Sequence, residues 1–170
     1  DKFLWIELGL QTIHEDTARY IRRGYPLSCF EQACADLKAL QIPFIVHTIL
    51  GLPGETNIQL LQTMDYLNRI QPFGIKLQLL HVLKGTDLAD DYLAGKFEAL
   101  TFDAYIDLVI SCLAHLSPDI VIHRVTGDGP KNLLIAPTWS MNKRGVLNEL
   151  HHRMKKQGIR QGDLFPKDNY

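Results

Sequence analysis

The sequence lacks the cysteine pattern of a metal knuckle or of a disulfide framework. It contains three cysteines, Cys29, Cys34 and Cys112, an odd number at spacings that fit neither kind of site. Such a set is typical of a reducing compartment, so we expect a cytoplasmic protein. No signal peptide is recognisable, and no apolar run has the length of a membrane span, so we expect no membrane partner.

The sequence also lacks an excess of charge of either sign. The 18 Lys and Arg residues are balanced by 19 Asp and Glu residues, which excludes a global basic field for nucleic acid but leaves a local basic patch open. With 170 residues and 46% hydrophobic residues, the chain can bury one sizeable core. It begins at Asp1 and enters an apolar run without Met or a helix cap, so we expect a fragment of a larger domain.

The stretch at residues 43–55, PFIVHTILGLPGE, indicates a buried strand that ends in a glycine-rich turn. Apolar residues recur at helical spacing after this turn, which predicts a strand, loop and helix unit. Free backbone amides at a helix N-terminus favour polar or negative ligand groups. A plain turn that needs glycine for tightness is the alternative, and the loop alone does not separate the two.

Strand and helix patterns alternate along the whole chain, and this order predicts an α/β fold with a parallel sheet covered by helices on one face. We expect Ser28, Asp87 and Thr101 to begin helices, and the polar tail after residue 157 to fray. The predicted strands are residues 3–10, 43–50, 75–82 and 119–125, and the predicted helices are 15–23, 28–40, 57–70, 87–95, 101–117 and 141–157.

Polar side chains recur at every second position of three predicted strands, which places them on one face of the sheet. This face carries Glu7, Gly9 and Gln11 from the first strand, His47, Ile49 and Gly51 from the second, and Lys76, Gln78 and Leu80 from the third. Burying such groups unpaired costs on the order of 1–3 kcal/mol each. The pattern therefore indicates either a barrel lumen that holds a ligand or a satisfied polar network in a filled core.

Four ordered blocks of sequence carry a family resemblance. They are ELGLQT at residues 7–12, HTILGLPGET at 47–56, KLQLLHVLKGT at 76–86 and RVTGDGPKNLLIAPTWSMNKRGVLNEL at 124–150. This set closely resembles the C-terminal half of the YhcC-like radical SAM proteins, a family of Fe-S oxidoreductases. It is more distantly similar to the radical SAM parts of Elp3 tRNA-modifying enzymes and of oxygen-independent coproporphyrinogen oxidases.

The resemblance implies a partial TIM-type (βα) barrel, with residues 1–125 forming its C-terminal half and residues 126–170 a C-terminal extension. It also implies S-adenosylmethionine (SAM) and a [4Fe-4S] cluster as cofactors of the full-length protein. The cluster motif C-x-x-x-C-x-x-C is not in the sequence, and the first three barrel strands are expected upstream. We therefore expect no cofactor on this chain alone, no metal site, and buried thiols at Cys29 and Cys34.

Carried over by position, the resemblance assigns eight residues to SAM binding. Gln11 falls where the family's fourth strand contacts the SAM ribose, and Glu7 lies deeper on the same face. Ile49, Gly51 and Glu55 match the family's G-x-I-x-G-x-x-x-E pattern, whose first glycine is replaced here by His47. The cofactor-binding set is Glu7, Gln11, Ile49, Gly51, Glu55, Leu80, His81 and Val82. The residues expected to position substrate are His47, Lys76, Gln78, His123 and Arg124, each of which could instead be structural; no catalytic residue is assigned.

Two other functions remain open at this stage. Within the class of radical SAM enzymes, the alternative is a tRNA-modifying or coproporphyrinogen-oxidase-like activity. The basic segment at residues 143–156 supports tRNA as a substrate, but the same segment could equally be a solvated helix face. A non-catalytic half-barrel that binds a partner or a nucleotide is the alternative outside it. We also expect self-association through the exposed edge of the first strand.

Overall fold

A computed structural model describes residues 3–127 and 129–166 of the chain. The strands are β1 (Ile6–Gln11), β2 (Phe44–Leu50), β3 (Gly74–Leu79), β4 (Val82–Leu83), β5 (Val121–Arg124) and β6 (Leu134–Ala136). The α-helices are α1 (Glu15–Tyr20), α2 (Leu27–Ala39), α3 (Asn57–Ile70), α4 (Asp87–Leu93), α5 (Phe102–His115) and α6 (Lys143–Gln157), and a 3-10 helix spans Thr138–Met141.

Four strands form a parallel sheet in the order β1-β2-β3-β5. The predicted α/β fold with a parallel sheet is confirmed. The expected strand at residues 75–82 is wrong in one respect, because it divides into two. β3 stays in the parallel sheet, whereas β4 turns away and pairs antiparallel with β6 in a separate two-stranded sheet.

One face of the parallel sheet is packed against helices. Val46, Leu50, Ile75 and Leu77 are fully buried there, in a core to which α2, α3, α5 and α6 contribute. Val146 and Leu150 of α6 lie in the same core, and the boundary between residues 125 and 126 stays a prediction. Among the described residues, no helix is long and apolar enough to cross a membrane.

Helix starts show where local sequence was sufficient and where it was not. Thr101 caps α5 as predicted, but the hydroxyl of Thr86 rather than Asp87 caps α4. The prediction that Ser28 begins α2 is wrong, because the helix starts at Leu27. The backbone N–H of Leu27 donates to the Glu15 carboxylate at 2.6 Å, so a remote residue fills the role of the cap.

The segment after α6 packs against the domain up to Leu164, and the expectation that it frays is wrong there. The N–H of Gly162 donates to the Leu113 carbonyl at 3.1 Å, and that of Leu164 to the Ala114 carbonyl at 2.8 Å. Gln161 Nε2 donates to two further carbonyls at the entry to β5. The tail is polar, but it satisfies carbonyl groups that would otherwise be orphaned at the C-terminus of α5. Its last four residues lie outside the described ranges.

Candidate functional site

A cavity of about 800 Å³ lies at the carboxyl end of the parallel sheet. Its floor is formed by residues at the ends of neighbouring strands: Gln11 at the end of β1, Ile49 and Leu52 around the end of β2, and Leu80 directly after β3. The wall comes from residues 20–25 and residues 85–91. Carboxyl ends of parallel strands are where such folds commonly bind ligands, and three residues of the predicted SAM-binding set meet here.

Gln11 reaches this cavity because β1 bulges at its end. The register with β2 shifts between Gly9 and Gln11, and Gln11 takes a positive φ of 60°. Its amide side chain lies over Gly9, where an added Cβ would meet Gln11 Nε2 at 2.5 Å, and the Tyr25 hydroxyl bonds the Gly9 carbonyl. Because Gly9 has no side chain, it leaves space for the side chain of Gln11. The two residues lie on the same face of β1, as the period-two pattern predicted.

Arg23 organises the wall of the cavity, and sequence reasoning missed it. Its side chain is 1% exposed, and its guanidinium donates to the carbonyls of Leu10 at 3.0 Å and Thr12 at 2.7 Å. It also bonds the Tyr25 carbonyl and pairs with Glu15 at 3.0 Å. A buried guanidinium is stable only when its donors are satisfied. In the sequence, Arg23 stands at the end of a predicted short helix. Exposed arginines commonly occupy such positions, so the sequence did not indicate that this one is buried.

Glu55 lies beside the cavity and ties two loops together. The hydroxyl of Thr12, which is 1% exposed, donates to Glu55 Oε1 at 2.5 Å. This bond joins the loop after β1 to the loop after β2. The structure thus gives Glu55 a role in holding the site in place, and its contact with a cofactor stays a prediction.

Gly51 begins the turn after β2 and has no room for a side chain. Its φ of +81° favours glycine, and an added Cβ would lie 2.7 Å from Leu100 Cδ1. Leu100 packs against the main core. Glycine is therefore required here by the turn and by core packing, whether or not a ligand also approaches.

The three consecutive residues Leu80, His81 and Val82 go to three different places. Leu80 lines the cavity and donates its N–H to the Leu50 carbonyl at 3.0 Å. His81 packs against Gly127, and its Nε2 lies 3.2 Å from the Ser140 hydroxyl. Val82 is fully buried and pairs with Ala136. The chain turns from β3 into β4 at this point, so only Leu80 keeps the direction expected of a continuous strand.

The environment of His81 favours a neutral imidazole. Burial lowers the pKa of His81, and the charge of Lys143 lowers it further. The Ser140 hydroxyl also lies 2.7 Å from the Pro137 carbonyl and can donate to it, which leaves its oxygen free to accept from His81 Nε2. His81 thus links the start of β4 to the 3-10 helix.

Four polar side chains form one network on the face of the sheet opposite the helix-packed core. Glu7 Oε2 accepts from Lys76 Nζ at 2.5 Å and lies 2.7 Å from His47 Nε2. His47 Nδ1 in turn lies 3.1 Å from Gln78 Nε2. The sequence placed these residues on one face, and the structure brings them into direct contact across β1, β2 and β3.

The network fixes the charge state of Glu7. The hydrogen bond from Lys76, assisted by that from His47, lowers the pKa of Glu7 from 4.5 to about 2. Because Gln78 Nε2 can only donate, His47 Nδ1 accepts, and His47 Nε2 carries the hydrogen that faces Glu7. At neutral pH this face therefore presents an ionised carboxylate held between a lysine and a histidine.

His123 and Arg124, the other two substrate candidates, lie at the opposite edge of the sheet from Gln11. The His123 ring covers Gly74 and closes a ring of aromatic contacts with Trp5, Phe3 and Phe73, with centroids 5.8–6.2 Å apart. Arg124 pairs with Lys76 in the register of β3 and β5. Both also border a second groove, beside α6.

Among the described residues, no group of three His, Cys, Asp or Glu side chains could hold a metal ion. Cys34 and Cys112 are buried, and burial raises the pKa of their thiols to about 11 and about 12. Cys29 is exposed, so the expectation that it is buried is wrong. It lies early in α2, on a side of the helix that does not face the core.

The basic segment on α6 is less basic than its sequence suggests. Arg153 binds Glu149 at 2.7 Å, Asp107 at 3.1 Å and also Asp103. These carboxylates neutralise the charge of Arg153, and the ion pairs with Asp103 and Asp107 connect α6 to α5. The exposed basic residues of this segment are Arg144, His151, His152, Lys155 and Lys156.

Known proteins with similar structures and sequences identify the fold. A solved structure of Elp3 from the archaeon Methanocaldococcus infernus, lacking residues 1–46, superposes with a TM-score of 0.80 over 92% of this chain and 37% of its own. The two share 18% sequence identity, so this likeness shows the fold alone.

Sequence comparisons give the family. Protein YtqA of Bacillus subtilis is 39% identical over 97% of this chain, and YhcC of Escherichia coli K12 is 30% identical over 95%. The chain spans about half the length of these relatives, 51% and 52%. Residues 2–67 match the model of the radical SAM superfamily, and residues 72–156 match that of the radical SAM C-terminal domain. The chain therefore belongs to the radical SAM superfamily.

Proposed function

We propose that this chain forms the nucleoside-binding and substrate-binding part of a radical SAM enzyme. The observation that carries the proposal is the meeting of Gln11, Ile49 and Leu80 in one cavity at the carboxyl end of the sheet. These residues lie at the ends of three neighbouring strands, and each was assigned to SAM binding by its position in a family motif. That the whole protein carries out a radical SAM reaction on a substrate is part of the same proposal.

The residues present fit the nucleoside part of SAM. Ile49, Leu52 and Leu80 offer apolar surface for a flat purine, and the Gln11 amide offers both a donor and an acceptor for ribose hydroxyls. The volume of about 800 Å³ lies within the range of about 300–1,000 Å³ typical of ligand sites. The bulge that directs Gln11 and the buried Arg23 behind it hold this surface in place before any ligand arrives.

The polar network next to the cavity is suited to orient a substrate. His47 and Ile49 lie on the same face of β2, two residues apart, which corresponds to about 6.6 Å. A group bound against His47, Lys76 and Gln78 would therefore be adjacent to a nucleoside at Ile49. When bound, SAM and its cluster supply the radical chemistry, and this chain's residues position the substrate and exclude water.

Charge at the network favours particular substrate groups. The Glu7 carboxylate is already held by Lys76 and His47, so an incoming carbonyl or anion can compete for the remaining Lys76 donors. A cationic substrate group would instead lie beside the positive charge of Lys76, which repels it. We therefore expect the substrate to present an acceptor, not a cation, to this face.

Calorimetric titration with S-adenosylhomocysteine tests the proposal, because this analogue carries the nucleoside and can bind without the cluster. We expect binding to the chain, and about three- to tenfold weaker binding to Gln11→Ala, the effect of losing a hydrogen bond or two. Gln32→Ala is the matched control, since Gln32 is exposed on α2 and lies outside the cavity. Unchanged affinity in Gln11→Ala, or no binding to the native chain, would contradict the proposal.

A further inference from the structure

The carboxamide of Gln11 is oriented by one neighbouring side chain. Gln11 ends β1 and lines the cavity at the carboxyl end of the sheet. Within residues 3–127 and 129–166, its side chain has one hydrogen-bond partner, the Tyr25 hydroxyl, whose oxygen lies 3.4 Å from Gln11 Oε1. Covalent geometry restricts the last torsion of a glutamine only weakly, so neighbouring groups decide where the amide oxygen and nitrogen point. For Gln11, that neighbour is Tyr25.

Tyr25 is itself held at its backbone, its ring and its hydroxyl. Arg23 Nε donates to the Tyr25 carbonyl at 3.0 Å, and the Arg23 guanidinium carbon lies 5.4 Å from the centre of the Tyr25 ring. The next residue, Pro26, favours extended backbone at Tyr25. The Tyr25 hydroxyl donates to the Gly9 carbonyl. The hydroxyl oxygen therefore has a defined position beside the Gln11 amide.

Gly9 is the residue over which the two side chains meet. A Cβ added at Gly9 would lie 2.5 Å from Gln11 Nε2 and 3.1 Å from the Tyr25 hydroxyl oxygen. Both polar groups therefore occupy the space that a side chain at residue 9 would take. The bulge at the end of β1 and the positive φ of Gln11 direct the amide to this position. These contacts lie within the chain itself and need no ligand to form.

Tyr25 also lines the cavity, so direct contact with a ligand is the competing role for its hydroxyl. A tyrosine hydroxyl has one hydrogen, and two acceptors lie within its reach here, the Gly9 carbonyl and Gln11 Oε1. With these acceptors in place, the hydroxyl has no donor left for a ligand. The donors available to a ligand at this point are the two hydrogens of Gln11 Nε2.

We propose that Tyr25 is a positioning residue for nucleoside binding, whose hydroxyl fixes the Gln11 carboxamide so that its Nε2 hydrogens face the ribose oxygens. This inference rests on the proposed function, because it concerns the same cavity, and it names the group that orients the proposed ribose contact. Tyr25 acts through Gln11 and not through a contact of its own with the ligand. Without the hydroxyl the amide rotates more freely, and ordering it on binding reduces affinity.

A double-mutant cycle tests this role, with calorimetric titration of S-adenosylhomocysteine into the native chain, Tyr25→Phe, Gln11→Ala and the double variant. Tyr25→Phe keeps the ring beside Arg23 and removes only the hydroxyl. We expect about threefold weaker binding in Tyr25→Phe than in the native chain. In the Gln11→Ala background, the same change should cause no further loss, because the group that it orients is absent.

Tyr66→Phe is the matched control. The Tyr66 hydroxyl also bonds a side chain, Glu31 at 3.1 Å, and the Arg69 guanidinium carbon lies 6.0 Å from the centre of its ring. Tyr66 is not among the residues that line the cavity, so its variant should bind the analogue with native affinity. Circular dichroism of each variant checks the fold.

Two outcomes would overturn the role of Tyr25 and leave the proposed function standing. One is native affinity in Tyr25→Phe while Gln11→Ala binds more weakly. The other is an equal loss from Tyr25→Phe in the native and Gln11→Ala backgrounds, because the hydroxyl would then act on the ligand directly or through the fold. Absence of binding to the native chain, or native affinity in Gln11→Ala, would overturn both proposals together.

Discussion

The two faces of the four-stranded sheet differ in what stabilises them. One face consists of fully buried apolar residues such as Val46 and Leu77, packed against helices. The other carries Glu7, His47 and Lys76 in a hydrogen-bonded network that is partly exposed. The comparison teaches that the first face carries most of the folding energy, while the second is free to be specialised for binding, because apolar burial contributes more than exposed ion pairs.

The largest effect on the free energy of unfolding is expected from a comparison of two neighbouring β3 residues whose side chains point to opposite faces of the sheet. Leu77→Ala should lower the free energy of unfolding by about 2–5 kcal/mol, because Leu77 is fully buried and would leave a cavity. Gln78→Ala should cost about 1 kcal/mol or less, because it removes one partly exposed hydrogen bond. Urea denaturation of both variants measures this difference, and equal losses would show that the network is as important for folding as the core.

A smaller effect is expected from Lys76→Met, which keeps much of the apolar stem and removes the charge beside Glu7. The pKa of Glu7 should rise from about 2 towards 4.5, because its main hydrogen-bond donor is lost. A carboxylate with a lowered pKa stabilises the fold fully above pH 4.5, and this stabilisation disappears as the pH falls through about 2. The variant should therefore be less stable than the native chain above pH 4.5, by about 1 kcal/mol or less at this partly exposed site, and the difference should vanish towards pH 2.

Carbon-13 NMR of the Glu7 carboxyl group during a pH titration measures this change directly. Lys96→Met provides the control, since Lys96 pairs with Asp91 on α4 and is remote from the network. An unchanged Glu7 midpoint in Lys76→Met would mean that the lysine does not set the charge state of this face.

The smallest expected effect on stability concerns the edge of the same sheet. β1 pairs with β2 on one side and has no strand partner on its other side within the described residues, and Leu4 just before it is 63% exposed. We propose that a second copy of the chain covers this edge or the polar face, so sedimentation at micromolar concentrations should show reversible association. Leu4→Lys should weaken it, whereas Leu40→Lys, equally exposed at the end of α2, should not. A monomer with fast amide exchange along residues 6–11 would rule this out.

Local chemistry explains the features that could be predicted from sequence. The hydroxyl of Thr101 accepts the N–H of Ala104 at the start of α5, as its position before an apolar helical repeat indicated. Alternation with period two placed Glu7, His47, Lys76 and Gln78 on one face, because side-chain direction in a strand depends only on sequence position. Gln11, Ile49 and Leu80, which the family motif assigns to the cofactor, line one cavity, and their contact with a cofactor stays a prediction.

Other features depend on residues that are distant in sequence. The start of α2 was wrong because Glu15, twelve residues before Leu27, supplies the acceptor for its first N–H. The split of β3 from β4 was missed because β6, about fifty residues later, is the partner that draws Val82 out of the parallel sheet. No local pattern contains either partner, so propensity and periodicity cannot indicate them.

The sequence by itself determined the order of the helices and of the four strands of the parallel sheet, the two faces of that sheet and, through its motifs, the superfamily. Only the tertiary structure decided that Arg23 is buried in the wall of the cavity, that Glu55 is bound by Thr12, and that His81 lies against Ser140. The physical reason is that periodicity fixes the direction of a side chain within its own element. The partner that satisfies a buried polar group comes from wherever the chain has been folded beside it.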